Sequence, residues 1–143
     1  MFMREVLDLI KLLSDQSRLR ILLLLTKKEL CVCQIMGVLN MSQPLVSRNL
    51  SLLLKAGFLK DRRDGKLMFY KIKKVLPGKH QQFLALLHEL LKDDTTLKKD
   101  LRSLGECTEF QKQTGRCDME TLKAFMRYKK RKSADRNKKE REK

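Results

Sequence analysis

The chain is short of acidic residues and has no long apolar run. Seventeen aspartates and glutamates stand against 33 lysines and arginines, a net charge of +16 over 143 residues. Such a balance favours a polyanionic partner, nucleic acid before an acidic membrane surface. No apolar run exceeds five residues, the length of Ile21 to Leu25, whereas spanning a bilayer takes about 20. With no secretory leader pattern at the start either, the expectation is a cytoplasmic protein with no membrane partner. CxxC pairs are absent, and with them the strongest signals for structural zinc or thioredoxin-like chemistry. No cysteine has an arginine six residues later, as a thiol-phosphatase loop would need. Neither GxGxxG nor GxxxxGK followed by Ser or Thr occurs, and there is no internal repeat. Four cysteines in a reducing compartment then read as ligands or reactive thiols rather than a disulfide framework.

What is present is an alternation of hydrophobic periods. Phe2, Val6, Ile10 and Leu13 recur at helical spacing and mark a first amphipathic helix. Asp15 caps a second, whose run Ile21-Leu22-Leu23-Leu24-Leu25 indicates burial on most sides. A short third helix takes Ile35, Met36, Val38 and Leu39, and Asn40-Met41 breaks it. Ser42 caps a fourth, with Pro44 tolerated in its first turn, Val46, Leu50, Leu53 and Leu54 as core stripe, and Gly57 as the stop. From there the period falls to two. Phe58 to Arg63 and Lys66 to Lys73 read as strands joined at Asp64-Gly65, a dipeptide favoured in tight hairpins, and Pro77-Gly78 ends the hairpin.

Phe83, Leu84, Leu87, Leu90 and Leu91, then Leu97, Leu101 and Leu104, describe one long helix or two in succession, closed by Gly105. Asp118 caps a last helix carrying Met119, Leu122, Phe125 and Met126. From Arg127 onward ten lysines and arginines oppose three acidic residues, and apolar side chains nearly vanish. Residues past Ser133 are therefore expected to be disordered. The organisation is a domain over 1–104, a cysteine-bearing extension with a short helix over 105–133, and a basic tail over 134–143. Cores this small are thin, so pairing with a second copy buries surface cheaply.

Three helices, a tight turn, a polar-faced helix and a two-stranded wing give the fold class, mainly α with a small β-hairpin, a winged helix-turn-helix. With Val46, Leu50 and Leu53 inward, the fourth helix turns Gln43, Ser47, Arg48 and Ser51 outward, short or planar groups able to reach base edges in a major groove. Arg48 is the candidate reader, because a bidentate arginine discriminates guanine by roughly 1–3 kcal/mol, with a clamp on a phosphate as the equal alternative. Lys60, Arg62, Arg63 and Lys66 place positive charge around the wing turn for backbone or minor-groove contact.

The stretch Ser42-Gln43-Pro44-Leu45-Val46-Ser47-Arg48-Asn49-Leu50, followed by Leu53, Ala56-Gly57, Arg62-Arg63, Asp64-Gly65-Lys66 and Tyr70, resembles the ArsR/SmtB family of metal-responsive repressors. Arg18-Leu19-Arg20-Ile21-Leu22 resembles that family's second helix, and the similarity covers residues 1–92. Glu29-Leu30-Cys31-Val32-Cys33 resembles the arsenic-sensing motif of its arsenite branch. The resemblance implies a cytoplasmic homodimer held by its first and last helices. It implies binding to an imperfect palindrome in double-stranded DNA and release when trivalent arsenic, arsenite or methylarsenite, is captured. It makes Cys31 and Cys33 metalloid ligands and turns Ser42, Gln43, Ser47 and Arg48 to DNA. Two positions depart from the pattern. Asn49 stands where many members have His, and Met36 stands where the arsenite motif often has a third cysteine, a thioether being a poor substitute for a thiolate.

Arsenite takes three sulfurs, so the missing ligand falls to Cys107 or Cys117, from the same chain or the partner copy. Cys117 precedes the Asp118 cap, where a helix N-terminus favours the thiolate. With two thiolates alone, a monomethylated arsenical becomes the better effector. Cys107 and Cys117 have the alternatives of a separate site or plain packing. Residues i and i+2 of a helix point about 200° apart, so Cys31 and Cys33 cannot hold one ion while their turn stays helical. Capture is expected to unwind the start of the third helix, shift the turn before Ser42 and draw the fourth helix from its groove. A redox or reactive-sulfur sensor of the same fold is the alternative function. A thiol enzyme is disfavoured, since His80 and His88 lie far from Cys31 in sequence.

Overall fold

The computed structural model describes residues 2–115 and 119–142. Helix α1 (Met3–Leu13) leads into α2 (Gln16–Leu25), whose N-cap Asp15 accepts the Arg18 amide at 2.9 Å. Leu30–Cys31 form a two-residue strand, β1, and α3 (Val32–Leu39) begins on the next residue. Asn40 ends α3 in the left-handed conformation, φ +54°, which a short polar side chain tolerates better than most. Ser42 caps α4 (Gln43–Lys55), with Pro44 inside the first turn. Strands β2 (Leu59–Asp64) and β3 (Leu67–Ile72) follow, then α5 (Gly78–Leu91), α6 (Thr95–Thr114) and α7 (Met119–Arg141).

The sheet is antiparallel in the order β1-β3-β2, with Leu30 opposite Tyr70 and Cys31 opposite Phe69. The wing is therefore three-stranded, and its third strand is the segment directly upstream of α3. The core gathers the α2 run with Ile35, Val46, Leu50, Leu53 and Phe58. A buried ion pair fixes α6 to α2: the Arg20 guanidinium donates to both oxygens of Asp100 at 2.9 and 2.8 Å, and also to the Leu39 carbonyl at 3.4 Å. That hydrogen bond to Asp100 raises the Arg20 pKa further.

Several sequence expectations shift. The hairpin loop is Gly65-Lys66, since Asp64 still pairs with Leu67. Gly65, at φ +61°, occupies the first of the two loop positions, the place that a II′ turn reserves for glycine. Gly105 does not close the helical region. It lies inside α6, which ends at Gly115 with φ +69°, so a boundary after residue 104 cuts a continuous helix. The expected break falls instead between α5 and α6, where Asp94 accepts the Leu97 amide at 3.0 Å. Residues past Ser133 are helical rather than disordered, as α7 continues to Arg141. Lys, Arg, Glu and Ala are good helix formers, and the Arg136–Glu106 pair at 3.2 Å ties that end to α6. The Asp118 cap lies outside the described residues.

In α1 it is Leu9 and Leu13 that pack inward, while Phe2 and Ile10 of the expected stripe stay exposed, Phe2 at 78%. The helix has two apolar sides, and the periodicity of one does not say which faces its own chain. Leu90 of α5, 68% exposed, joins Leu86 in a second outward apolar patch.

Breaking the buried pair from its cationic side is the sharper test of the α2–α6 junction. Arg20→Met leaves the Asp100 carboxylate, 2% exposed, without its partner, which costs about 3–5 kcal/mol for pairs of this kind. Urea unfolding should show a loss of that order, and a loss below about 1 kcal/mol would mean that Asp100 is held by something else.

Candidate nucleic-acid interface and cysteine pocket

The polar face of α4 is set by what lies beneath it. Val46, Leu50 and Leu53 are fully buried, so Gln43, Ser47 and Arg48 emerge on the solvent side. Ser42 is exposed too, but its Oγ also accepts the Leu45 amide at 3.4 Å, so its hydroxyl caps the helix as well as facing outward. Asn49 is not on this face. It is buried, and its Oδ1 accepts from the Arg18 guanidinium at 3.2 Å, pinning α4 to α2. On the wing, Arg63 and Lys66 are exposed. Arg62 is engaged: its guanidinium donates twice to Glu29 Oε1, at 3.0 and 2.6 Å, and lies 4.5 Å from the centre of the Phe69 ring. The same hydrogen bond holds the Glu29 carboxyl below its ordinary pKa.

Cys31 occupies a junction. It is the last residue of β1, paired across the sheet with Phe69, and at the same time the N-cap of α3. Cys31 and Gln34 form a capping box with sulfur in the hydroxyl's place, and the Cys31 amide donates to Gln34 Oε1 at 2.8 Å. Gln34 Nε2 in turn donates to Gln111 Oε1 of α6 at 2.6 Å. The expectation that both motif cysteines ride on one helix is thus corrected, because only Cys33 lies within α3.

Cys33 and Cys107 line one small cavity of ≈ 20 Å³, walled by Phe110, Leu122 and Phe125, which is room for a single water-sized occupant. Cys31 and Cys107 are both buried, and they are close enough to feel each other's charge. Burial first, and Cys31 second, push the Cys107 thiol up to about 11. Cys107 of α6 therefore neighbours Cys33 across the cavity and lies within electrostatic reach of Cys31, where β1, α3 and α6 converge. Cys117 lies outside the described residues. Among the described residues no three ligand-type side chains already stand as an assembled ion site.

The α6–α7 hairpin also holds the other end of α3. Lys129 Nζ donates to the Gly37 and Val38 carbonyls at 2.7 and 3.2 Å and to Ser103 Oγ at 3.0 Å, and Ser103 donates to the Val38 carbonyl at 2.8 Å. Burial lowers the Lys129 pKa. Gly37 permits the approach, since a Cβ there would fall 2.5 Å from Leu122 Cδ1 and 3.1 Å from Phe125 Cδ1. Sequence reasoning missed Glu29, Gln34 and Lys129. The Cys31-x-x-Gln34 spacing was a legible capping signal, whereas nothing in the local sequence marks Lys129 among its cationic neighbours. Both histidines are engaged within the fold. His80 bonds the Ala56 carbonyl at 2.7 Å and packs on Phe58, and His88 bonds Thr26 Oγ1 at 3.1 Å.

Comparison with known proteins follows the same geometry. Residues 15–61 match the model of a family described as bacterial regulatory proteins of the arsR family. The chain is 44% identical over 73 residues, 50% of its own length and 62% of the relative's, to an arsenical resistance operon repressor of Escherichia coli K12. It is 36% identical over 84 residues, 58% of its length and 91% of the relative's, to an uncharacterized HTH-type transcriptional regulator of Methanocaldococcus jannaschii. Among solved structures it is similar to reduced HlyU from Vibrio cholerae, with TM-score 0.54, 28% identity, and coverage of 61% of this chain and 88% of that one. It is also similar to the homodimeric winged helix-turn-helix domain of a possible ArsR-family regulator from Mycobacterium bovis, with TM-score 0.52, 27% identity, and coverage of 64% and 82%. The matched stretch spans 62–63% of the length of the arsenic-resistance relatives from E. coli and, for ArsR2, Pseudomonas putida.

The raised thiol at Cys107 has a consequence for stability at high pH. Between the ordinary thiol value of about 8.5 and about 11, the unfolded chain gives up this proton while the folded chain keeps it. Unfolding then releases a proton, so stability falls as pH rises through that window. Urea midpoints of the wild type and Cys107→Val, which has no proton to lose, should diverge progressively above about pH 8.5. Parallel curves would show that the thiol is not buried as described.

Proposed function

Because the chain belongs to the arsR family of bacterial regulatory proteins, we propose that it is a DNA-binding transcriptional repressor that releases its operator when trivalent arsenic is captured by cysteine sulfur. The observation that carries this reading is the double role of Cys31, which joins the wing through β1 and caps the first helix of the helix-turn-helix. A sulfur bonded to arsenic no longer serves as the cap, and the strain reaches wing and turn together.

Ser42, Gln43, Ser47 and Arg48 are assigned to the major groove of double-stranded operator DNA, and Arg63 and Lys66 to its backbone, with Arg62 reaching DNA only by leaving Glu29. An imperfect palindrome suits a homodimer. The exposed apolar residues Phe2, Met3 and Ile10 on α1 and Leu86 and Leu90 on α5 are the surface a second copy would cover. No helix among the described residues is long and apolar enough to cross a membrane.

Cys31, Cys33 and Cys107 are the proposed ligands for arsenite, with Cys117 the other candidate third sulfur. Methylarsenite needs two. Each As–S bond replaces an As–OH bond, and the thiol proton leaves with the hydroxide as water, so a protonated Cys107 is a competent partner at neutral pH. For release, the arsenic-bound form must hold DNA more weakly by the coupling energy, typically 1–3 kcal/mol or roughly 5- to 150-fold.

Cys31→Ser is the informative variant, because serine keeps the cap and loses the sulfur. It should bind operator like the wild type and ignore arsenite in a fluorescence-anisotropy titration, as should Cys33→Ser. Loss of the arsenite response with retention of the methylarsenite response in Cys107→Ser makes Cys107 the third ligand, and the same result in Cys117→Ser assigns that role to Cys117. Wild-type release by peroxide but not by arsenite would replace the metalloid reading with a redox one. Arg48→Ala should lose about 1–3 kcal/mol on operator DNA and much less on scrambled duplex. Equal losses on both would make Arg48 a backbone clamp.

A further inference from the structure

The two sides of α7 use their cations differently. On the packed side Lys129 caps α3, Arg136 pairs with Glu106, and Lys132 lies 5.0 Å from the Tyr128 ring centre. Successive residues turn about 100° around the axis. The opposite side therefore carries Lys123, Arg127, Lys130, Arg131, Lys138 and Arg141 within about a third of the circumference. All six are exposed, and among the described residues none has an ion pair. Asp135 and Glu140 fall outside this stripe, and Glu120, which is in line with it, sits in the first turn, where it complements the helix dipole. The stripe runs for about 27 Å at 1.5 Å per residue, most of one duplex turn of about 34 Å.

Its position is equally specific. Leu39 and Asn40, the end of α3 and the start of the turn into α4, line one groove together with Lys130, Asn137 and Glu140 of α7. The stripe thus belongs to a helix flanking the turn that presents Ser42. We propose that the outer face of α7 is a second contact to duplex DNA, gripping phosphates that flank the bases read by α4. This rests on the DNA-binding reading above and adds an element to it. A second copy is a poor occupant, since six like charges would face six. Duplex phosphates are the polyanion that the DNA-binding reading already brings to this chain, and their charge complements the stripe.

Phosphate contacts are read by salt. Each cation that neutralises a phosphate contributes about 0.9 to the slope of log affinity against log salt concentration. The test compares the full chain with Lys123, Arg127, Lys130 and Lys138 all changed to Gln, which keeps helix propensity. Operator and scrambled duplexes are titrated over a series of potassium chloride concentrations, and circular dichroism confirms that helix content is unchanged. The expected result is a slope smaller by about 0.9 for every phosphate no longer neutralised, with the operator-to-scrambled ratio and arsenite release preserved. Duplexes trimmed to the palindrome should abolish the difference between the two proteins. An unchanged slope on long operator DNA overturns the inference while leaving the repressor reading intact, and failure of the parent chain to prefer operator over scrambled DNA overturns both. If the slope is unchanged and the variant instead loses binding to phosphatidylserine vesicles, the stripe serves an acidic lipid surface and the inference is likewise overturned.

Discussion

The cysteine junction and α4 are bridged directly by α3, a helix of only eight residues. So short a helix is marginal by itself, because nucleation costs about as much as its few hydrogen bonds return. It persists because both ends are satisfied, the start by its own capping box and the finish by side chains from α6 and α7. The capping box of Cys31 and Gln34 takes up orphan amides at its start, while Lys129 and Ser103 take up the Gly37 and Val38 carbonyls at its finish. The rest of the architecture follows from that need. β1 must end where the cap begins, α6 must bring Gln111 and Ser103 alongside, and α7 must lie close enough over Gly37 for an ammonium to reach the backbone.

The wing is coupled to the same point by two unequal links. The Glu29–Arg62 pair is largely solvent-exposed and, like most such pairs, contributes little stability. The ladder between β1 and β3 is the stiffer connection, since Leu30 and Cys31 are both buried and fixed in register with Tyr70 and Phe69. Cys31 therefore belongs to the wing through this ladder and to α3 through its cap, and the ion pair adds only a weaker tie. Cys31 thus stands at the point where the wing and α3 meet, with no intervening element between them.

Most of the fold was legible because its signals are local. Asp15 and Ser42 cap where they should, Asn40 breaks, and the period change after Gly57 marks the wing. What the sequence did not disclose depends on distant partners. Gly105 resembles a stop, yet neighbouring turns of α6 are held against α2 and α3 by Asp100 and Ser103, and tertiary packing outweighs the roughly 1 kcal/mol that a helical glycine costs. The hairpin loop moved by one residue because Asp64 keeps its pairing with Leu67. The end of α7 looked disordered by composition, since a helix docked along one side needs few apolar residues and a count cannot see that side. At the cysteine pocket the spacing of Cys31 and Cys33 was readable, but the proximity of Cys107 arises only from the fold of α6 against α3. Lys129 was hidden for the same reason, one cation among many until its carbonyl partners are known.

The ammonium that completes α3 is synthesised 92 residues after the carbonyl it binds. At elongation rates of about 5–20 residues per second, that gap is on the order of 5–20 s. Until then the carboxyl end of α3 lacks the ammonium that satisfies the Gly37 and Val38 carbonyls. The carboxyl end of α3 is thus the last part of this helix pair to be completed, and it is finished only when α7 docks over Gly37.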